Sequence, residues 1–386
     1  MNEITQIHNK EYEIADKNER IVVAEAPGRI HYLGEHCKKG MGVCLSSGID
    51  KFVRVAVSAR KDNSLRFFTA EMCERKRTTI MNMHYKREDR WANHIKLAIC
   101  LFAEKGCVVK GMNFTVSSDV PQNIGLASAI AMEVAAALAL RRLLNSNISD
   151  KELITSLDKL HREFYEDENK TADFFVIMNA RKDSFLVFDE SAGEVSVIKS
   201  PVPKYRTLII DSKVPFIGVD EELRVRRRDL DKGLEILLKK RQVKKIKDFA
   251  GADMIELMGN LNEEVRRRSM HAIKELARVD EIAGALETGD LPVITRNIFH
   301  SHESLRDLYE VTCPELDWLV KRAQEIDGIL GARMTGSGFG GCVYVILPAS
   351  LTGEYLAKLE EYERIFGFHA VYYEIKPGSG AKVIAK

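Results

Sequence analysis

The chain has 386 residues, 45% of them hydrophobic and 30% charged, with 58 Lys and Arg against 57 Asp and Glu. A net charge of +1 excludes general attraction to nucleic acid or anionic membrane, so any anion site has to be local. Seven cysteines without CxxC spacing suggest neither a disulfide framework nor a zinc site, and reduced thiols fit a cytoplasmic protein. The charged N-terminus does not read as a signal peptide, and no apolar run reaches membrane-spanning length.

In chain order, Ile21 to Ala26 (IVVAEA) reads as a strand punctuated by Pro27-Gly28. Lys51 to Ala59 alternates and is rich in β-branched residues, a second strand, with Ser64 to Thr69 as its hairpin partner. Trp91 to Lys105 shows helical spacing, Gly111 to Ser117 a strand, and an Ala-rich helix runs from about Ser128 to Leu144. A helix at Lys151 to Tyr165 and strands at Phe185 to Phe188 and Arg206 to Ile210 follow. The Pro201-Val202-Pro203 stretch between the last two strands marks a domain boundary, giving domains 1–203 and 204–386. Amphipathic helices at Glu221 to Leu238, Met254 to Gly259 and His271 to Ala283 lead to a glycine-rich loop at 336–341. A strand at Cys342 to Ile346, a helix and a last strand near Ala370 to Ile375 complete the chain. Strands followed by helices in each half predict an α+β class.

Three segments carry the chemistry. Ser118 to Ala131 (SDVPQNIGLASAIA) takes a strand through a turn into a helix whose free N–H groups and dipole favour a phosphate. Gly125, Ala127, Ser128 and Ala129 are small enough to let a polyphosphate approach the backbone, and Ser128 is a candidate helix cap or magnesium ligand. An ordinary strand–turn–helix junction explains the same residues about equally well, and no Walker A lysine follows. Gly331 to Cys342 (GARMTGSGFGGC) packs four glycines into six positions, as needed where backbone bends beside a ligand or another main chain, or in a structural hairpin. Ala26 to Gly42 gathers an Arg, a Glu, two His and two Lys, the makings of a polar pocket.

These segments, in this order, resemble the motifs of the GHMP small-molecule kinases (galactokinase, homoserine, mevalonate and phosphomevalonate kinases), with galactokinase the nearest likeness. The galactokinase signature appears as Pro27-Gly28-Arg29 and Gly34-Glu35-His36. Trp91-Ala92-Asn93 and Ser117 to Pro121 are similar to it, as is nearly all of His302 to Cys342. The resemblance implies a two-domain α+β fold with a ferredoxin-like C-terminal domain and ATP between the domains. It implies ATP contacts from Trp91, Gly125, Leu126, Ala127, Ser128, Ala129, Gly336 and Gly338, with Mg²⁺ at Ser128. It also places the catalytic carboxylate at Asp173, sixteen residues before Asp189, with Arg29 as its partner.

The departures concern the acceptor and the metal. The family's Thr-Asp after Gly-Glu-His is Cys37-Lys38, and its Tyr-Asn is Leu223-Arg224, ahead of Val225-Arg226-Arg227. Lysine only donates hydrogen bonds where a carboxylate accepts them. Glu35, His36, Lys38 and Arg224 are therefore expected to contact a sugar or sugar acid, phosphorylated at its anomeric hydroxyl. The last family serine of the phosphate loop is Ala129 and the metal-binding Glu falls on His161, with Asp158 a substitute. These changes also leave room for a ligand sensor that keeps the fold without turnover. Arg224 to Arg228, interleaved with Asp229 and Asp231, reads as a solvated helix face rather than a nucleic-acid site.

Overall fold

The computed structural model describes every residue except 1–2, 15–18, 37–41, 167–169, 200–204, 216–218, 242–258, 260 and 386, and for 220, 240 and 241 the backbone alone. After α1 (Glu3–Tyr12) come β1 (Ile21–Leu33), β2 (Val43–Ala59), β3 (Ser64–Thr69) and β4 (Glu74–Thr79). Then follow α2 (Ala92–Glu104), β5 (Met112–Ser118), α3 (Ser128–Leu143), α4 (Asp150–Tyr165), α5 (Thr171–Asn179), β6 (Ser184–Asp189) and β7 (Glu194–Lys199). The second half holds β8 (Tyr205–Asp211), α6 (Val219–Arg241), α7 (Glu263–Thr288), α8 (Leu291–Ser304) and α9 (Pro314–Gln324). It closes with β9 (Gly331–Thr335), β10 (Cys342–Pro348), α10 (Thr352–Phe366), β11 (Val371–Ile375) and β12 (Lys382–Ala385).

Two sheets organise these elements into a two-domain α+β fold. The first runs β12-β1-β2-β5-β3-β4, with β6 on the Val43–Ser46 end of β2 and β7 beside β6; the second runs β11-β8-β10-β9. β3 pairs with β4 and, in parallel, with β5, so it is not the hairpin partner of β2 that its position suggested. The central place beside β2 goes to β5, whose Phe114 and Val116 are buried.

β1 does not stop at Pro27-Gly28. It continues to Leu33 through a register shift between Pro27 and Arg29, where a proline without an N–H does no harm to the ladder. There Arg29 N–H turns away and donates to Leu126 O at 3.0 Å, joining the strand to the loop before α3. α3 is Ala-rich, and its Ala131, Ala135 and Ala139 are buried against the first core, which lets the helix lie close on the sheet.

The second sheet is apolar on both faces because both are covered. Leu208, Ile210, Val343 and Val345 enter the core of the second half, while the alternate residues Ile209, Tyr344 and Ile346 belong to the first core. Tyr344 Oη donates to Tyr32 O at 2.9 Å across this seam. The last strand, β12, returns to pair with β1 (Val23 with Ala385, Ala24 with Val383). The Pro201–Pro203 stretch, Lys38 and the helix expected from Met254 lie outside the described residues, apart from Gly259, which is a turn.

Candidate active site

A cavity of about 490 Å³ opens where the ends of β1, α3 and α5 meet the glycine loop after β9. Arg29 and His31 lie two residues apart on β1 and so share a face of the strand, aimed at α5. Asp173, in the first turn of α5, receives both. Arg29 Nε donates to Asp173 Oδ1 at 2.6 Å and Nη2 to Oδ2 at 3.0 Å, a two-point grip, while Nη1 donates to Gly125 O at 2.6 Å. His31 Nε2 lies 2.8 Å from Asp173 Oδ1 and its Nδ1 2.6 Å from Ser46 Oγ.

Burial opposes the charge on Asp173, but the Arg29 charge and the His31 hydrogen bond outweigh it and hold the carboxyl well below its ordinary range. Burial and Arg29 pull His31 down, yet Cys44 and the bond to Asp173 raise it to about 9. The group at this end of the cavity is thus an ionised carboxylate held by two cations.

Glu35 ties the first segment to the third. Its Oε2 accepts from Gly336 N at 2.7 Å, and Thr335 Oγ1 donates to His31 O at 3.1 Å. Gly336 and Gly125 both have φ near +90° (+91° and +85°), and a Cβ on Gly125 would stand 3.1 Å from Gly336 Cα. The two glycine loops therefore pack main chain on main chain. His36 is buried against Tyr309, with Nε2 lacking a hydrogen-bond partner among the described residues, and burial lowers its pKa well below the usual value.

Of the expected ATP-contacting residues, Gly125, Leu126, Ala127, Ser128, Ala129 and Gly336 line the cavity. Ser128 is not the cap of α3. That position is Ala127, in the left-handed region at φ 57°, with no side-chain cap. Gly338 does not reach the cavity and instead packs tightly on Val311 O, and Trp91 turns its indole N–H to Glu74 Oε2 at 2.7 Å, away from it. Arg224 is not among the residues lining this cavity: its side chain is 67% exposed and pairs with Glu221. One helical turn on, Arg227 lines the cavity, and its buried Nε has no hydrogen-bond partner among the described residues.

His161, where the family's metal-binding Glu falls, has a neighbour that the sequence did not point to, His94. Glu133, fully buried on α3, accepts from His94 Nδ1 at 2.7 Å and from His161 Nδ1 at 2.9 Å, both at Oε1. Tyr165 stacks on each ring at 4.8 Å, and His94, His161 and Tyr165 all line the cavity. His31 was not singled out because the strand was read to stop at Pro27-Gly28; with the strand running on to Leu33, its spacing to Arg29 points to it. The His94–Glu133–His161 group was not legible, since it joins three helices.

This donor set does not fit a protein-held Mg²⁺, which takes oxygen ligands in octahedral array. Ser128 brings one hydroxyl, Glu133 is committed to the imidazoles, and Asp158 accepts from Thr171 and pairs with Arg162. Among the described residues no three His, Cys, Asp or Glu side chains are placed to hold a metal ion.

Comparison with known proteins places these features in a family. The chain matches the galactokinase galactose-binding signature over residues 7–59, the GHMP kinases N terminal domain over 93–179 and the GHMP kinases C terminal domain over 282–360. It is 34% identical to a putative galactokinase of Treponema pallidum, covering 100% of this chain and 97% of that one. It is 31% identical to the galactokinase of Thermotoga maritima, covering 93% and 99%. The fold is similar to the crystal structure of Lactococcus lactis galactokinase complexed with galactose (TM-score 0.90, 23% identity, covering 99% and 100%). It is less similar to that of Methanococcus jannaschii mevalonate kinase (TM-score 0.64, 14% identity, covering 94% and 99%).

Proposed function

This chain belongs to the galactokinase-like GHMP kinases, enzymes that phosphorylate a sugar hydroxyl with ATP, and from that premise we propose that Asp173 and Arg29 act on the anomeric hydroxyl of a sugar or sugar acid. The observation that carries the reading is the two-point Arg29–Asp173 pair in the wall of the cavity that the N-terminus of α3 also enters.

The nucleotide's phosphates lie at the first turn of α3, where unpaired N–H groups and the dipole end meet them, between the loops of Gly125 and Gly336. Asp173 orients the acceptor hydroxyl and takes its proton. Its strongly ionised state makes it a weak base, which a loose transition state tolerates because little proton transfer has to precede phosphoryl departure. Arg29, fixed by Asp173 and Gly125 O, faces the charge that gathers on the transferring group. Magnesium would come with the nucleotide as the counter-ion of its phosphates.

Glu35 and His36 border the acceptor. Arg227 now takes the part expected of Arg224, and its buried, unpartnered Nε–H supports an acceptor that carries a carboxylate or phosphate. We also propose that the chain divides near residues 203 and 204, with β12 a return of the second domain onto the first sheet. ADP release across neutral sugars, uronic acids and sugar phosphates tests the function, and phosphorus–proton coupling in the product identifies the hydroxyl. Turnover with an acidic sugar and phosphorylation at the anomeric oxygen are expected. A preference for neutral sugars would sink the acidic acceptor, and a phosphate at another carbon would sink the anomeric assignment.

A further inference from the structure

We propose that His94 and His161, held side by side on Glu133, contact the nucleotide's phosphate oxygens directly and take over the work of protein ligands to a metal ion; this rests on the placing of ATP phosphates at the N-terminus of α3.

Glu133 lies five residues into α3 from Ser128, between one and two turns from the helix start. Its carboxylate is fully buried, and burial alone would push its proton affinity up. His161 and His94 reverse that and hold it ionised. Each imidazole therefore commits Nδ1–H to Glu133, which fixes the ring and leaves Nε2 facing away from it. Tyr165 clamps the pair, with its ring on both imidazoles and its hydroxyl 2.9 Å from His94 Nδ1. No Nε2 hydrogen bond to a described residue competes, and both rings border the cavity into which residues 125–130 point.

A buried carboxylate with two cavity-facing imidazoles suits one ligand class above others, an oxyanion with several oxygens. A neutral sugar hydroxyl gains little from two rings already turned the same way. A polyphosphate gains a charge-assisted hydrogen bond from each. Two imidazole nitrogens fall short of the ligand number of a protein-held divalent ion.

With Nδ1–H given to Glu133, Nε2 is the ring atom left to meet a phosphate oxygen. Glu133 from α3, Tyr165 from α4 and Tyr85 packed on Tyr165 surround the pair, with Lys170 and Asp173 across the same cavity.

Calorimetric titration of the protein with a non-hydrolysable ATP analogue tests the idea, with and without Mg²⁺. Wild type should bind the analogue in EDTA, and the ring proton signals of His94 and His161 in its NMR spectrum should move on binding. His94→Gln and His161→Gln should each weaken binding in EDTA by about tenfold, with a smaller effect when Mg²⁺ is present. The ring signals of wild type need no altered protein for the binding readout, so a poorly folding substitution does not blunt the test. Unchanged affinity with only a lowered melting temperature would make the rings structural packing and overturn the proposal. Weakening seen only with the cation present would make them metal ligands and overturn it equally. Failure of wild type to bind the analogue under any condition would sink both this proposal and the placing of ATP, whereas binding that leaves both rings' signals in place sinks this one alone.

Discussion

Arg29 grips both carboxylate oxygens of Asp173, at 2.6 and 3.0 Å, from a strand 144 residues earlier in the chain. Neither group is more than 6% exposed, so removing either takes from the other's buried charge its main partner, leaving Asp173 only His31 and Arg29 only the more distant Glu35. Asp173→Asn keeps the shape and one acceptor oxygen but strands Arg29. Steady-state kinetics should show kcat lower by about a thousandfold. ATP affinity should change little if the phosphates meet α3 rather than α5, as proposed. Chemical denaturation should show a stability loss of about 3 kcal/mol. A variant with near-normal kcat would remove Asp173 from the chemistry.

His31 gives a stability signature with a definite sign. Its pKa is raised to about 9 in the fold against an ordinary value of about 6.5, so the folded state binds the proton more tightly than the unfolded chain. The stability it contributes is complete below about pH 6.5 and is lost as pH rises through about 9. The melting-temperature gap between wild type and His31→Asn should therefore be widest near pH 6 and close by about pH 10. A gap that grew with pH would mean that the ring is neutral in the fold.

Much of this arrangement could be read from the sequence, and the limits have physical causes. α3 and the α+β class were visible because Ala-rich helical spacing and alternating strands are local patterns. Asp173 was found by register, not by chemistry, and its two partners confirm only that it is buried and ionised. β3 was misassigned because hairpin proximity favours β2, while the hydrophobic fit of Phe67 on Phe114 decides for β5. Arg224 and Arg227 differ by one turn of α6, and neither composition nor motif says which faces inward. The buried Glu133 could not be recognised as polar machinery inside an otherwise apolar helix, because its partners come from α2 and α4.

Gly125 is the point where the two glycine loops touch. Gly125→Ala adds a Cβ 3.1 Å from Gly336 Cα at a φ of +85°, where an L side chain is strained. The loops must part, and Arg29 Nη1, which donates to Gly125 O, moves with them. KM for ATP should rise by about tenfold or more while KM for the acceptor changes less. Equal changes in both would show that the seam serves the cavity as a whole rather than its nucleotide end.

Glu275 and Arg333 form a pair with no exposed surface, and it reaches the acceptor segment through the backbone. Glu275 Oε1 accepts from Gly34 N at 3.1 Å, from Ser301 Oγ at 2.8 Å and from Arg333 Nη2 at 3.2 Å. Burial opposes the charge on Glu275, but Arg333 and its other neighbours lower its pKa to about 2. Its stabilising effect is present above the ordinary carboxylate range and fades as pH falls through about 2. Arg333→Met leaves that carboxylate with Arg278 Nη1, at 3.3 Å, as its remaining guanidinium partner and should cost about 3 kcal/mol in denaturant unfolding at neutral pH. Gly34 directly precedes Glu35, so the acceptor KM should rise as well. Adding Glu275→Gln removes the stranded charge and should recover part of both losses, because a neutral amide oxygen still accepts from Gly34 N and Ser301. If the double variant is no more stable than Arg333→Met, the pair acts through packing volume rather than charge.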